Sequence, residues 1–185
     1  FPPQLESYRA ELAADAEGPE VARMVAHAVE ALNGMLREKT SNLEETRGMG
    51  ATLTLLLRHG GAFILAHMGD SRAYLMRRGC LQRLTRDHTV ASLLLSKGEI
   101  TREEFLTHPA RHVLTRHIGM DDAPPPDVGI ISPQPTDRFL LCTDGLTGML
   151  DDQEIAKILG GVENRKIACE KLVRRANQKG GSDNI

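Results

Sequence analysis

The chain has 185 residues, with 23 basic and 25 acidic side chains and a formal charge of −2. That length suits one domain, and the near-balance of charge, without a Lys/Arg block, speaks against a nucleic-acid partner. The apolar runs fall well short of the roughly 20 residues a membrane helix needs, and no signal peptide is visible.

In chain order, residues 4–14 are expected to form a short helix with Leu5, Tyr8 and Leu12 on one side, broken by Asp15-Ala16-Glu17-Gly18-Pro19. Pro19 suits the first turn of a second helix. There Val21, Met24, Val25, Ala28, Val29, Leu32 and Leu36 follow the i, i+3, i+4, i+7 spacing of an apolar stripe. Gly34 costs about 1 kcal/mol relative to alanine in a helix, which predicts fraying there. His27 reads as a surface or edge residue, and residues 40–47 as a polar loop. A strand is expected over 51–57, opened by Gly48-Met49-Gly50 and turned at Arg58-His59-Gly60-Gly61 into a second strand over 62–68. Strands over 72–76 and 80–84 form a further hairpin through Arg77-Arg78-Gly79. This succession reads as an antiparallel meander, with Gly69-Asp70-Ser71 as the tight turn between its second and third strands. Thr52 and Thr54 alternate with Leu53 and Leu55, making one face of the first strand more polar than the other.

After Asp87-His88 the pattern turns helical over 90–96 and stops at Lys97-Gly98. Thr101 with Glu104 three residues on is a capping-box signature for the next helix. His108-Pro109 breaks it, and Val113, Leu114 and Ile118 make a short amphipathic piece. Residues 121–127, with three consecutive prolines, read as an extended linker. Strands follow over 128–132 and 138–142. Asp151-Asp152 opens a helix through Ile155, Ile158 and Leu159, with acidic residues suitably at its N-terminus. Residues 164–177 form a longer helix whose stripe is Ile167, Ala168, Leu172, Val173 and Ala176. Strands in pairs with helices at both ends of the chain give an α+β class. Cys80, Cys142 and Cys169 are odd in number and widely spaced, which points to reduced thiols in a cytoplasmic setting. Cys142, inside an apolar strand, reads as a core residue and not a nucleophile.

Three aspartates stand at strand ends beside glycine or small residues: Asp70, Asp144 and Asp183. Each alone is an ordinary turn residue, but together they suggest an oxygen-rich metal site. Gly69-Asp70-Ser71-Arg72-Ala73-Tyr74, Leu84-Thr85-Arg86-Asp87-His88, Cys142-Thr143-Asp144-Gly145-Leu146 and Gly181-Ser182-Asp183-Asn184 resemble, in order, motifs of the PPM family. These are the metal-dependent, PP2C-type protein serine/threonine phosphatases, and the resemblance is closest to bacterial members. It runs from about Gly48 to the end and more loosely before that. It implies an α/β/β/α four-layer sandwich of two antiparallel sheets flanked by helices, with residues 89–120 as a helical flap insert in a single domain, 1–185. It implies a hydrolase acting on phosphoserine and phosphothreonine through metal-activated water, with Mg²⁺ or Mn²⁺ as cofactor. Asp144 and Asp183 take the role of ligands to a core metal and Asp70 that of ligand to a further, weaker one. Gly69, Ser71, Arg72, Asp87, His88, Gly145 and Asn184 support them: the glycines by letting backbone approach the site, Arg72 by tying down its hairpin, Asp87 and His88 by anchoring the segment that enters the flap. The implied partners are phosphoproteins, the products of a serine/threonine kinase.

One part of the family pattern has no counterpart in residues 1–47: the phosphate-binding arginine with its acidic pair, and the Asp-Gly-x-Gly-Gly-type motif that supplies a metal-bridging aspartate. The chain also starts without methionine and stops at Ile185 where a strand is expected, so both ends are expected to be incomplete. Two readings follow. One is the larger part of a phosphatase catalytic domain. The other is a shortened, catalytically inactive binding or regulatory module of the same fold. The retained Asp70, Asp144 and Asp183 favour the first. Residues 1–185 on their own are expected to be inert, and open sheet edges would invite a dimer or a strand swap.

Overall fold

The structure is a computed structural model that describes residues 18–41 and 48–185; the helix expected over 4–14 and the loop over 42–47 lie outside the described residues. The chain divides into two compact units. One takes the described residues up to Asp70 together with Arg86–Pro133, the other Ser71–Thr85 and Gln134–Ile185.

In the first unit, helix α1 (Gly18–Ser41) packs on a three-stranded antiparallel sheet of β1 (Leu53–His59), β2 (Ala62–Met68) and β5 (Asp127–Ile131), in the order β1-β2-β5. Alternation puts Ile64, Ala66 and Met68 of β2 on the helix side, where they join Val25, Val29 and Ile118, with Leu53, Val128 and Ile130 at the margin. The helical stripe is narrower than its spacing predicts, for Met24 and Leu32 are exposed. The helix also outlasts the fraying expected at Gly34. Asn33 donates to the Met120 carbonyl and accepts from the Gly119 N–H, and Arg37 pairs with Asp121 at 2.6 Å. These ties and the packing of Leu36 outweigh a propensity penalty of about 1 kcal/mol. Two short helices complete the unit: α2 (Val90–Lys97), capped by Thr89 and ended by Gly98 at φ +72°, and α3 (Arg102–Thr107), which has the expected capping box of Thr101 and Glu104.

In the second unit, β3 (Arg72–Arg77), β4 (Cys80–Arg83) and β6 (Arg138–Cys142) form a second antiparallel sheet, ordered β4-β3-β6. After β6 come the single-turn helix α4 (Asp144–Thr147), then α5 (Asp152–Gly161) and α6 (Arg165–Gln178), N-capped by Asp151 and Asn164. Tyr74, Met76, Leu140, Leu146, Leu150, Ile155, Leu159, Ala168, Leu172 and Ala176 make its core. The α6 stripe is again narrower than expected, with Ile167 and Val173 exposed. The Arg77 guanidinium grips Asp137 in two bonds of 2.9 and 2.6 Å, both side chains being buried. Burial pushes the Asp137 carboxyl up, but Arg77 and the Gln134 N–H outweigh it and hold it below the usual carboxylate range. Arg138 donates to the Leu159 and Val162 carbonyls and closes the end of α5.

The α+β class is borne out, with helices packed on two antiparallel sheets. The meander is not. β2 has both edges filled by β1 and β5, and β3 has both filled by β4 and β6, so these consecutive strands cannot pair with each other. Residues 69–71 carry the chain out of one sheet and into the other instead of closing a hairpin. Asp127, expected in a linker, opens β5, and no strand forms over residues 179–185.

Candidate functional site

The turn after β2, at Gly69 and Asp70, closes the first of the two stretches that make up the first unit. Gly69 has φ +114°, and a Cβ there would lie 2.4 Å from Thr52 Cγ2 and 3.1 Å from its Cα. Only glycine fits so close to Thr52 in that conformation. Both backbone polar groups of Gly69 are taken by one residue: the His88 N–H donates to the Gly69 carbonyl at 2.8 Å, and the Gly69 N–H donates to His88 Nδ1 at 3.1 Å. An Nδ1 that accepts leaves the ring proton on Nε2, which donates to Asp127 Oδ2 at 3.1 Å. The other Asp127 oxygen accepts from Arg116 at 2.7 Å, and Arg116 also donates to the Pro125 carbonyl. Burial pushes the Asp127 carboxyl up, yet the bonds from His88 and Arg116 prevail and hold it at about 2.

Beside this chain lies His67, fully buried on β2, with its ring centroid 4.7 Å from that of His88. Its Nε2 donates to the Arg86 carbonyl at 3.0 Å, so Nδ1 accepts from the Thr54 hydroxyl at 3.0 Å. Burial first, and the neighbouring His88 second, lower its pKa to about 4. The polar β1 face expected from Thr52 and Thr54 therefore has an occupant: Thr52 packs on Gly69, and Thr54 serves His67. Asp87 and His88 are both buried, and Asp70 is half-buried. An imidazole nitrogen of exposed His112 lies within 4.8 Å of an Asp70 carboxylate oxygen.

In the second unit, Ser71 and Arg72 lead into β3. Arg72 donates to the Tyr74 hydroxyl at 3.3 Å, and that hydroxyl donates to Asp152 at 2.9 Å. Asp144 is the first residue of α4, directly after β6, where acid suits the helix start. Gly145 is the point of closest approach: a Cβ there would lie 2.3 Å from the Asn184 carbonyl oxygen and 3.4 Å from the Asp183 carbonyl carbon. The Thr143 hydroxyl donates to the Asn184 carbonyl at 2.9 Å, and Asp183 Oδ1 accepts from the Asn184 N–H at 2.7 Å. Two motifs some 40 residues apart in sequence thus meet backbone to backbone. Burial pushes the Cys142 thiol up to about 11, so it supplies no thiolate near neutral pH.

The aspartate side chains offer only oxygen donors, which suit a hard divalent cation, and the glycine cradle at 145 is where the Asp183-bearing backbone sits. The residues present fit such an ion. Asp70 belongs to the first unit, Asp144 and Asp183 to the second. His67, His112, Arg116 and Asp127 were not singled out by sequence reasoning. A histidine within the apolar run 62–68 was the one available signal.

The chain matches the family described as Protein phosphatase 2C over residues 5–178. It is 36% identical over 141 residues to the serine/threonine phosphatase stp of Listeria welshimeri, covering 76% of this chain and 56% of that protein. To the protein phosphatase PhpP of Streptococcus pneumoniae it is 39% identical over 166 residues, covering 90% of this chain and 67% of the relative. The chain thus spans little more than half the length of the first of these relatives. In structure it resembles the catalytic domain of the serine/threonine protein phosphatase PstP in complex with two manganese ions. The TM-score there is 0.79 at 31% identity, over 97% of this chain and 75% of the other.

Proposed function

The chain belongs to the protein phosphatase 2C family, and from that membership we propose that the protein hydrolyses phosphoserine and phosphothreonine esters of phosphoproteins with Mg²⁺ or Mn²⁺. The observation that carries this reading is the seating of the Asp183-Asn184 backbone on Gly145, which joins two carboxylate-bearing turns where a side chain would keep them apart. Asp144 and Asp183 would hold the core cation and Asp70 a further one. Bound divalent cations supply charge neutralisation for phosphoryl oxygens and lower the pKa of water. The chain's own residues hold and orient. Thr143 and Gly145 fix the 183–184 backbone, Gly69 shapes the Asp70 turn, and Asp87 and His88 anchor the segment that enters the flap. Ser71, Arg72 and Asn184 complete the two turns. Residues 89–120 form the flap of a single catalytic domain. No described helix is long and apolar enough to cross a membrane. The substrates in this reading are products of a serine/threonine kinase in the cytoplasm, a setting that suits three free cysteines.

The test is phosphate release from phosphoserine and phosphothreonine peptides by the full-length protein, with Mn²⁺ and with excess chelator. Asp144→Asn and Asp183→Asn are each expected to cut the rate by about a hundredfold or more, since an amide is a neutral, weaker ligand. Full activity in chelator, or a trapped covalent phosphoenzyme, would sink the reading.

A further inference from the structure

Gly69 is the residue before Asp70, and its conformation sets where that carboxylate points. Its N–H and its carbonyl both end on His88, one on the ring and one on the backbone. His88 is itself held on its far sides. The Thr115 N–H donates to its carbonyl at 2.8 Å, and Asp127, fixed by Arg116, accepts a hydrogen bond from its Nε2–H. We propose that His88 is a positioning residue for Asp70: an Nε2–H imidazole clamped between Gly69 and Asp127, which fixes the turn so that the Asp70 carboxylate is aimed before any cation arrives. This goes beyond anchoring the segment that enters the flap, and it rests on the reading of Asp70 as a cation ligand. His88 touches neither substrate nor cation in this role. It removes the freedom of a glycine that would otherwise reach many backbone conformations.

The geometry separates the two halves of the clamp. Asparagine places an acceptor near the Nδ1 position and cannot reach Asp127. Glutamine reaches toward Asp127 and leaves the Gly69 N–H without its acceptor. The experiment is Mn²⁺ titration by calorimetry, together with hydrogen exchange at the Gly69 amide, on the full-length protein and its His88→Asn, His88→Gln and Asp70→Asn variants.

Glutamine is expected to weaken the weakest Mn²⁺ site by about tenfold or more, the usual cost of losing a partner that orients a ligand, and to speed Gly69 exchange by a similar factor. Asparagine, which keeps the Gly69 acceptor and loses only the Asp127 hold, is expected to cost measurably less than glutamine in both readouts, and both variants to leave the tightest site unchanged. Equal loss in the two variants, or loss in neither, overturns the clamp. If Asp70→Asn leaves every Mn²⁺ site intact, the ligand reading of Asp70 fails, and exchange at Gly69 still decides the clamp by itself. Long-range ¹⁵N correlation on the unsubstituted protein needs no variant to fold. It is expected to show His88 with Nδ1 bare and Nε2 protonated, and a protonated Nδ1 overturns the proposal outright.

Discussion

The turn after β2 and the turn after β6 both end a strand on aspartate, and they hold it by opposite means. At Asp70 the support is a partly buried polar chain of Gly69, His88, Asp127 and Arg116, with His67 and Thr54 beside it. At Asp144 the support is contact: backbone of 183–184 pressed on Gly145, above the apolar core that Leu146 and Leu150 enter. A polar chain has few close contacts and depends on which atoms carry protons. A backbone seat has no protons to lose but tolerates no added atom. The first turn should therefore be sensitive to pH, and the second to volume.

The largest expected effect tests the volume side. In Gly145→Ala the new methyl has to displace backbone and not a flexible side chain, so the 183–184 segment must leave its seat. Phosphatase activity should fall by about a hundredfold, while thermal unfolding shifts little, because the core beneath is untouched. Activity within a few-fold of the parent would break the contrast.

Next is the proton side. The folded protein keeps His67 neutral down to about pH 4, whereas the unfolded chain takes up a proton near its ordinary value of 6.5. Between those values the unfolded state binds more protons, so stability is intact above pH 6.5, declines as pH falls, and is fully reduced below 4. The full loss is about 3 kcal/mol. Urea unfolding at steps from pH 7 to 4 checks this, and His67→Gln should flatten that part of the profile. An unchanged midpoint across the window in the parent protein would remove His67 from the account.

The smallest effect sharpens the same side. Thr54→Val keeps shape but takes the donor from His67 Nδ1, leaving a buried acceptor unpaired at a cost of about 1 kcal/mol. Chemical denaturation measures it.

How much of this was legible depends on range. β2, β6 and the helices capped by Thr101, Asp151 and Asn164 announce themselves through patterns a few residues long, and the structure places them within a residue or two of expectation. The aspartate motifs were equally local. The pairing of β2 with β5 and of β3 with β6 was not, because an alternating strand shows which face is buried and not which edge it offers. His67, Arg116 and Asp127 escaped for the same reason: a buried histidine, an arginine near a break and an aspartate after three prolines gain meaning only when β5 lies beside β2. Stripes came out too wide at Met24, Leu32, Ile167 and Val173, since periodicity counts apolar residues and only packing decides how many are covered.

The distance in sequence between paired strands also bears on synthesis. β2 finds its second neighbour only when Ile131 has been made, and β3 waits for Cys142. Until then each central strand leaves the ribosome with one edge unpaired and an apolar flank bare. Pairings so far apart in sequence close slowly, and open edges of this kind attract other chains. The yield of soluble protein should thus depend more on elongation rate and chaperone supply than on the stability of the finished fold.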